Sequence, residues 1–277
     1  MKFKILGRTG EKIPVLGMGT WRMGGGWYFR DYSKDKEEIK ALRFGLKLGM
    51  KFIDTAEGYG RGHAEELTGK AIEGEGKVFI ASKVSPENFH YDDVIKSCEA
   101  SLKRLGVRQI DLYQLHWPNP SIPIEETMRA MEKLVDEEKV RYIGVSNFSV
   151  EETRKAQEAL SKYEIVSNQV EYSLLCRDVE KDVLPFCEKE KITLIAYRPL
   201  GQGKLFGKLP HELSNTLTEI SKKYDKTISQ IALNWLISKK PVVAIPKASN
   251  IAHIKKNLGA IDWELKARDI KALETAS

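Results

Sequence analysis

Four residues of different chemistry stand where apolar runs give way to polar ones. Asp54 closes Phe52-Ile53-Asp54, and Tyr59 follows five residues later in the turn Glu57-Gly58-Tyr59-Gly60. Lys83 follows Ile80-Ala81-Ser82, and His116 follows Asp111-Leu112-Tyr113-Gln114-Leu115. A carboxylate, a phenol, an ammonium and an imidazole converging on one site can deliver a proton to a carbonyl oxygen. A phenol whose pKa lies near 10 is a weak acid at neutral pH. A neighbouring ammonium favours the tyrosinate, so Lys83 is expected to lower that value, with Asp54 holding the lysine charged and in place. His116 is the candidate donor to the substrate oxygen. Taken singly each residue is ordinary; their occurrence at the ends of successive strand-like runs carries the argument.

Those ends need a scaffold that brings them together. Strand-like runs fall at residues 15–19, 52–54, 78–82, 110–115, 142–145, 165–169, 192–197 and 242–245. Helical spacings lie between them, such as Ile95, Cys98, Leu102 and Leu105. Capping boxes at Ser149/Glu152 and Thr227/Gln230 mark two helix starts. Eight strand–helix units predict the α/β class and a (β/α)₈ TIM barrel, in which polar groups at carboxyl strand ends are the first candidates for chemistry. Residues 1–14 read as a β-hairpin that plugs the other end. No linker or change of composition divides the chain, which predicts one domain over residues 1–277.

The chain carries a formal charge of +6, but its lysines interleave with glutamates, as in Lys36-Glu37-Glu38. That pattern describes a solvated surface rather than a nucleic-acid interface. No apolar run approaches a membrane span, and Cys98, Cys176 and Cys187 are too scattered for a disulfide framework or a zinc ribbon. A cytoplasmic protein with no membrane or nucleic-acid partner and no metal is expected, a monomer or weak homo-oligomer.

The whole chain resembles the aldo-keto reductase superfamily, from Leu16-Gly17-Met18-Gly19-Thr20-Trp21 through Gly144-Val145-Ser146-Asn147-Phe148 and Asn168-Gln169-Val170-Glu171-Tyr172 to Ile245-Pro246-Lys247. The resemblance implies NAD(P)H-dependent reduction of aldehydes and ketones to alcohols, and the reverse. It makes Tyr59 the proton donor, Asp54 and Lys83 its tuning pair, and His116 the residue that orients the substrate. It also implies a nucleotide site without a Rossmann fingerprint, beginning at Gly19, Thr20, Trp21 and Asp54. Ser146, Asn147 and Gln169 would hold the nicotinamide amide, and Tyr197 would stack on its ring. Arg198, Pro199, Leu200, Gly201 and Gly203 would lie along the pyrophosphate. Ile245, Pro246, Lys247, Ala248, Ser249, His253 and Asn257 would meet the adenosine end.

Many NADPH-preferring members carry serine at the position of Ala248 and arginine at that of His253. NADPH is therefore expected to be preferred less strongly than in those members, with NADH as the second cofactor. Trp21, Tyr59, His116 and Trp117 line the implied substrate pocket. Trp27, Tyr28 and Phe29, in a glycine-rich insertion, either add to its wall or form an ordinary exposed loop. No long C-terminal substrate loop follows the last barrel unit, so the pocket is expected to be open.

Two rivals bear on the same residues. Asp54, Glu57 and His116 could serve a metal-dependent isomerase, although Lys83 and Tyr59 are poor neighbours for a divalent cation. Some proteins of this fold are nucleotide-binding regulatory subunits of ion channels, which the intact tetrad argues against.

Overall fold

The computed structural model describes residues 1–247 and 249–277. Two antiparallel strands, β1 (Phe3–Ile5) and β2 (Lys12–Pro14), precede a parallel sheet. Its strands are β3 (Met18–Gly19), β4 (Phe52–Asp54), β5 (Phe79–Val84), β6 (Ile110–Leu115), β7 (Val140–Ser146), β8 (Ile165–Glu171), β9 (Thr193–Tyr197) and β10 (Val242–Ala244). They pair in chain order, and bridges from Leu16 to Ala244 and from Gly19 to Lys247 close the ring. This is the (β/α)₈ barrel that the sequence predicts.

Helices α1 (Asp35–Lys47), α2 (His63–Ile72), α3 (Tyr91–Leu105), α4 (Ile124–Asp136), α5 (Val150–Glu158) and α6 (Val183–Glu190) form the crossovers. Two helices, α7 (His211–Tyr224) and α8 (Ile228–Ser238), separate β9 from β10, while α9 (Ile251–Leu258) and α10 (Ala267–Ala276) follow. Both expected capping boxes form, at the starts of α5 and α8. Among the described residues no helix is long and apolar enough to cross a membrane.

The first barrel strand is shorter than the expected run over residues 15–19. The continuous strand is confined to Met18–Gly19, with β4 on one side and isolated bridges from Leu16 to Ala244 and Gly19 to Lys247 on the other. Closure brings the backbones so near that a Cβ on Gly19 would stand 2.8 Å from the Ile245 carbonyl oxygen.

Strand periodicity explains how one barrel holds both a core and a polar site. Alternate residues face inward, and Phe52, Phe79, Ala81, Leu112, Ile195 and Val243 pack together there with Leu6 and Ile13 from the hairpin. The hairpin sits at the amino ends of the strands, where the Gly7 N–H donates to Thr193 Oγ1 at 2.8 Å, as the sequence predicts. Two residues further along the same inward series come Asp54, Lys83, Gln114 and Tyr197. The apolar layer thus forms the floor beneath the polar one, and a one-residue slip of any strand would turn its polar group out of the barrel.

Candidate active site

Strand pairing sets the site before any side chain is placed. Gly19 lies opposite Asp54, Lys83 opposite Gln114, Ser146 opposite Gln169, and Glu171 opposite Tyr197. The carboxyl ends of the strands therefore meet on one rim. Lys83 and Asp54 are 0% and 2% exposed. The Lys83 ammonium directs its three hydrogens to Asp54 Oδ1 at 2.6 Å, the Thr55 carbonyl at 2.8 Å and Tyr59 Oη at 3.3 Å. A group with three donors and no acceptor is thereby fully used and fixed in direction.

The phenol does not behave as the sequence argument expects. Burial pushes the Tyr59 pKa well above its ordinary value, and the Asp54 carboxylate pushes the same way. These effects prevail although the Lys83 ammonium, braced by Asp54, lies beside the phenol. Burial also lowers the Lys83 pKa, against the opposing pull of Asp54. In this state Tyr59 is a firmly protonated acid. His116 is buried too; burial, then the Lys83 charge, hold its pKa well below the usual value, so the imidazole is neutral. Its ring stacks on Trp117 at 4.0 Å with an interplanar angle of 7° and meets the Tyr59 ring edge-on at 5.5 Å.

A hydrogen-bonded chain joins the tetrad to the residues expected to hold an amide. Tyr197 Oη donates to Asn147 Oδ1 at 2.9 Å, and Asn147 Nδ2 donates to the His116 carbonyl at 3.0 Å and to Ser146 Oγ at 3.1 Å. Ser146 Oγ donates to the Gln169 carbonyl at 2.9 Å, and Gln169 Nε2 donates to Asp54 Oδ2 at 2.7 Å. Asn147 adopts a positive φ of 62°, which turns its amide back across the rim. Gln114 Nε2 completes the surroundings of Asp54 at 3.5 Å. The sequence reading missed Gln114, although strand alternation two residues after inward-facing Leu112 points to it.

The remaining cofactor candidates lie around the same rim. Thr20 Oγ1 donates to the Asp54 carbonyl at 3.0 Å, and Trp21 stands 4.9 Å from the Tyr59 ring. After β9, Arg198 pairs with Glu171 at 2.9 Å, and Pro199 and Leu200 lead into a short 3-10 helix, Gly201–Phe206. Its Gly203 has a φ of 90° and open space around it. After β10 come Ile245, Pro246 and the exposed Lys247; Ala248 lies outside the described residues. Asn250 caps α9 by accepting from the N–H of Ala252 at 2.7 Å, His253 occupies the first turn, and Asn257 is buried.

The pocket is more enclosed than the open one expected. Trp27 reaches across it, with ring centroids 5.1 Å from His116, 5.3 Å from Trp117, 6.1 Å from Trp21 and 6.3 Å from Tyr59. Tyr59 is consequently only 8% exposed. Gly58 makes room, since a Cβ there would stand 2.6 Å from the Trp27 ring. Tyr28 and Phe29 point into solvent instead, 84% and 62% exposed. The residues of the isomerase alternative do not assemble. Asp54 binds Lys83, while Glu57 turns away and accepts from the Ser85 N–H at 2.7 Å and Asn88 Nδ2 at 2.9 Å.

Comparison with known proteins agrees with this fold. The chain is 39% identical over 280 residues to the methylglyoxal reductase YeaE of Escherichia coli, covering 100% of this chain and 95% of that protein. The crystal structure of a thermostable aldo-keto reductase, Tm1743, in complex with the inhibitor epalrestat superposes with a TM-score of 0.95 at 46% identity and full coverage of both chains. An aldo-keto reductase from Klebsiella pneumoniae in complex with NADPH gives a TM-score of 0.89 at 35% identity, covering 99% of this chain and 95% of that one. The profile of the aldo/keto reductase family matches residues 15–277, so the chain belongs to that family.

Proposed function

We propose that this chain reduces aldehydes and ketones to alcohols with NADPH, Tyr59 giving the proton. The observation that carries the reading is the Lys83 ammonium, braced by Asp54 at 2.6 Å and set 3.3 Å from Tyr59 Oη, beside a neutral His116 under tryptophan walls. The donor set fits a nicotinamide cofactor. Ser146, Asn147 and Gln169 offer hydroxyl and amide groups with lone pairs to spare, and Tyr197 offers a ring face. Arg198, Leu200, Gly201 and Gly203 follow β9, and Lys247, Ser249 and the first turn of α9 follow its neighbour β10, and these groups suit phosphates. When bound, the cofactor supplies a hydride.

The protein's own residues do the rest. His116 donates a hydrogen bond to the carbonyl oxygen and holds it near the phenol. Tyr59 passes its proton to that oxygen as negative charge develops there. The resulting tyrosinate lies against Lys83, whose charge stabilises it only once it forms. Asp54 keeps Lys83 aimed, and Gln169 and Gln114 keep Asp54 aimed.

Turnover is expected for a panel of aldehydes with NADPH, followed by the loss of reduced cofactor. Methylglyoxal is the first substrate to test, given the similar Escherichia coli enzyme. Tight NADPH binding with no turnover of any member would overturn the reading and favour the regulatory-subunit alternative. The proposal includes a single domain over residues 1–277, a cytoplasmic location, and a monomer or weak homo-oligomer, the last tested by sedimentation.

A further inference from the structure

We propose that His63 is a positioning residue. It clamps the 24–32 loop against the turn that carries Tyr59 and, through Trp27, sets the width of the substrate pocket. This rests on the reading of Tyr59 and Trp27 as two walls of a carbonyl pocket. His63 is the first residue of α2, four positions after Tyr59, and is 1% exposed, although it takes no part in the tetrad.

Its two ring nitrogens face two carboxylates. Nδ1 lies 2.7 Å from Glu66 Oε2, and Nε2 lies 2.9 Å from Asp35 Oδ1. Both contacts are within hydrogen-bonding distance, so the ring is gripped at its two edges. Each carboxylate belongs to the loop's anchorage. Asp35 opens α1, just where the loop ends. Glu66 extends its other oxygen to Arg30 at 3.1 Å, and Arg30 also donates to the Arg61 carbonyl at 2.9 Å, in the Tyr59 turn.

The ring is held on its faces as well. Tyr32 packs at 4.5 Å between centroids, and a Cβ on Gly24 would stand 2.7 Å from the imidazole. The loop therefore meets His63 at its start through Gly24, in its middle through Glu66 and Arg30, and at its end through Tyr32 and Asp35. Trp27 lies inside that span. The neighbouring Gly26 carbonyl accepts from the Gly60 N–H at 2.8 Å, which ties the indole's backbone to the turn directly.

The test is a double-mutant cycle read with benzaldehyde and methylglyoxal. His63→Ala is expected to raise KM for benzaldehyde roughly tenfold or more, with a smaller fall in kcat, because the wall is displaced rather than the acid. That factor should shrink toward unity in a Trp27→Ala background, since residues acting through one another are not additive. A full-sized factor in that background, or an equal loss of kcat for both aldehydes, overturns the proposal. Asp35→Asn, a milder change near the surface, should move KM the same way and serves if His63→Ala does not fold. Hydrogen exchange gives a readout independent of turnover. Protection should fall at the amides of Gly26 and Asp31, which bond within the loop, and persist in the barrel strands. Unchanged protection in the loop also overturns it. If the wild-type protein reduces no aldehyde, the functional reading fails while the exchange result still judges the clamp.

Discussion

The two ends of the proposed nucleotide site are built differently. At the catalytic end, Asp54, Lys83, Ser146 and Gln169 are buried on strands, and each bonds to a group from a different strand or strand end. At the proposed adenosine end, Lys247 is exposed, His253 stands on the first turn of a short helix, and the side chain of Asn250 is occupied in capping α9. Proton transfer needs groups held to fractions of an ångström, so the barrel spends rigid backbone there. A terminal phosphate needs only attraction, which an exposed cation on a loop supplies.

Removing a group from the rigid end tests that contrast most severely. Tyr59→Phe deletes the acid proton and no hydrogen bond to the proposed amide cradle, so reduction should fall by roughly 10²–10⁴-fold. NADPH affinity, measured by fluorescence titration, should stay within a few-fold. Retention of half the activity would remove Tyr59 from the mechanism. Lys83→Met comes next, with two expected effects. Turnover should drop by roughly 10²-fold because the tyrosinate loses its counter-charge. The fold should lose about 3 kcal/mol in urea unfolding because Asp54 is left buried without a counter-charge. A loss of activity with unchanged stability would mean that Asp54 is held well enough by Gln169 and Gln114 alone.

The same contrast decides what a sequence can disclose. Strand ends were legible because β4 and β6 begin and end where apolar alternation does, and because Asp54, Lys83 and His116 interrupt apolar runs. Gln114 was overlooked because it sits inside such a run, and only the inward phase of β6 distinguishes it from the outward Tyr113. The sequence does not separate Trp27 from Tyr28 and Phe29, and leaves all three as either pocket wall or exposed loop, since periodicity is silent in a glycine-rich loop. What selects Trp27 is tertiary, namely Gly58 leaving space for its ring and Gly60 bonding its neighbour. The direction of the Tyr59 pKa shift was misjudged for a related reason. The grouping of Asp54, Lys83 and the phenol is visible in sequence, whereas the completeness of burial, the largest cause of the shift, is visible only in three dimensions.

At the loosely built end a smaller and selective effect is expected. Lys247→Ala should raise KM for NADPH about tenfold, the value of one lost charge-assisted contact, and leave NADH within about twofold. Equal losses with both cofactors would assign Lys247 to the shared pyrophosphate or to the fold, erasing the division of labour between the two ends. A wild-type preference for NADH would refute the phosphate-site assignment itself.

The smallest expected effect is that of pH on the forward reaction, and its sign follows from the rigid end alone. Burial raises the Tyr59 pKa, so the phenol keeps its proton throughout the neutral range and the acid form needed for reduction is not depleted as pH rises. Burial lowers the His116 pKa, so the imidazole does not gain a proton as pH falls toward 6. Neither group changes form between, and kcat for reduction should vary by less than about twofold from pH 6 to 8. The reverse reaction needs the tyrosinate. Its rate should climb with pH, by up to about tenfold per unit well below the phenol's pKa. An inflection in reduction near pH 6.5 would show that His116 titrates as a solvated imidazole does, and the tryptophan walls would then not be keeping water from the site.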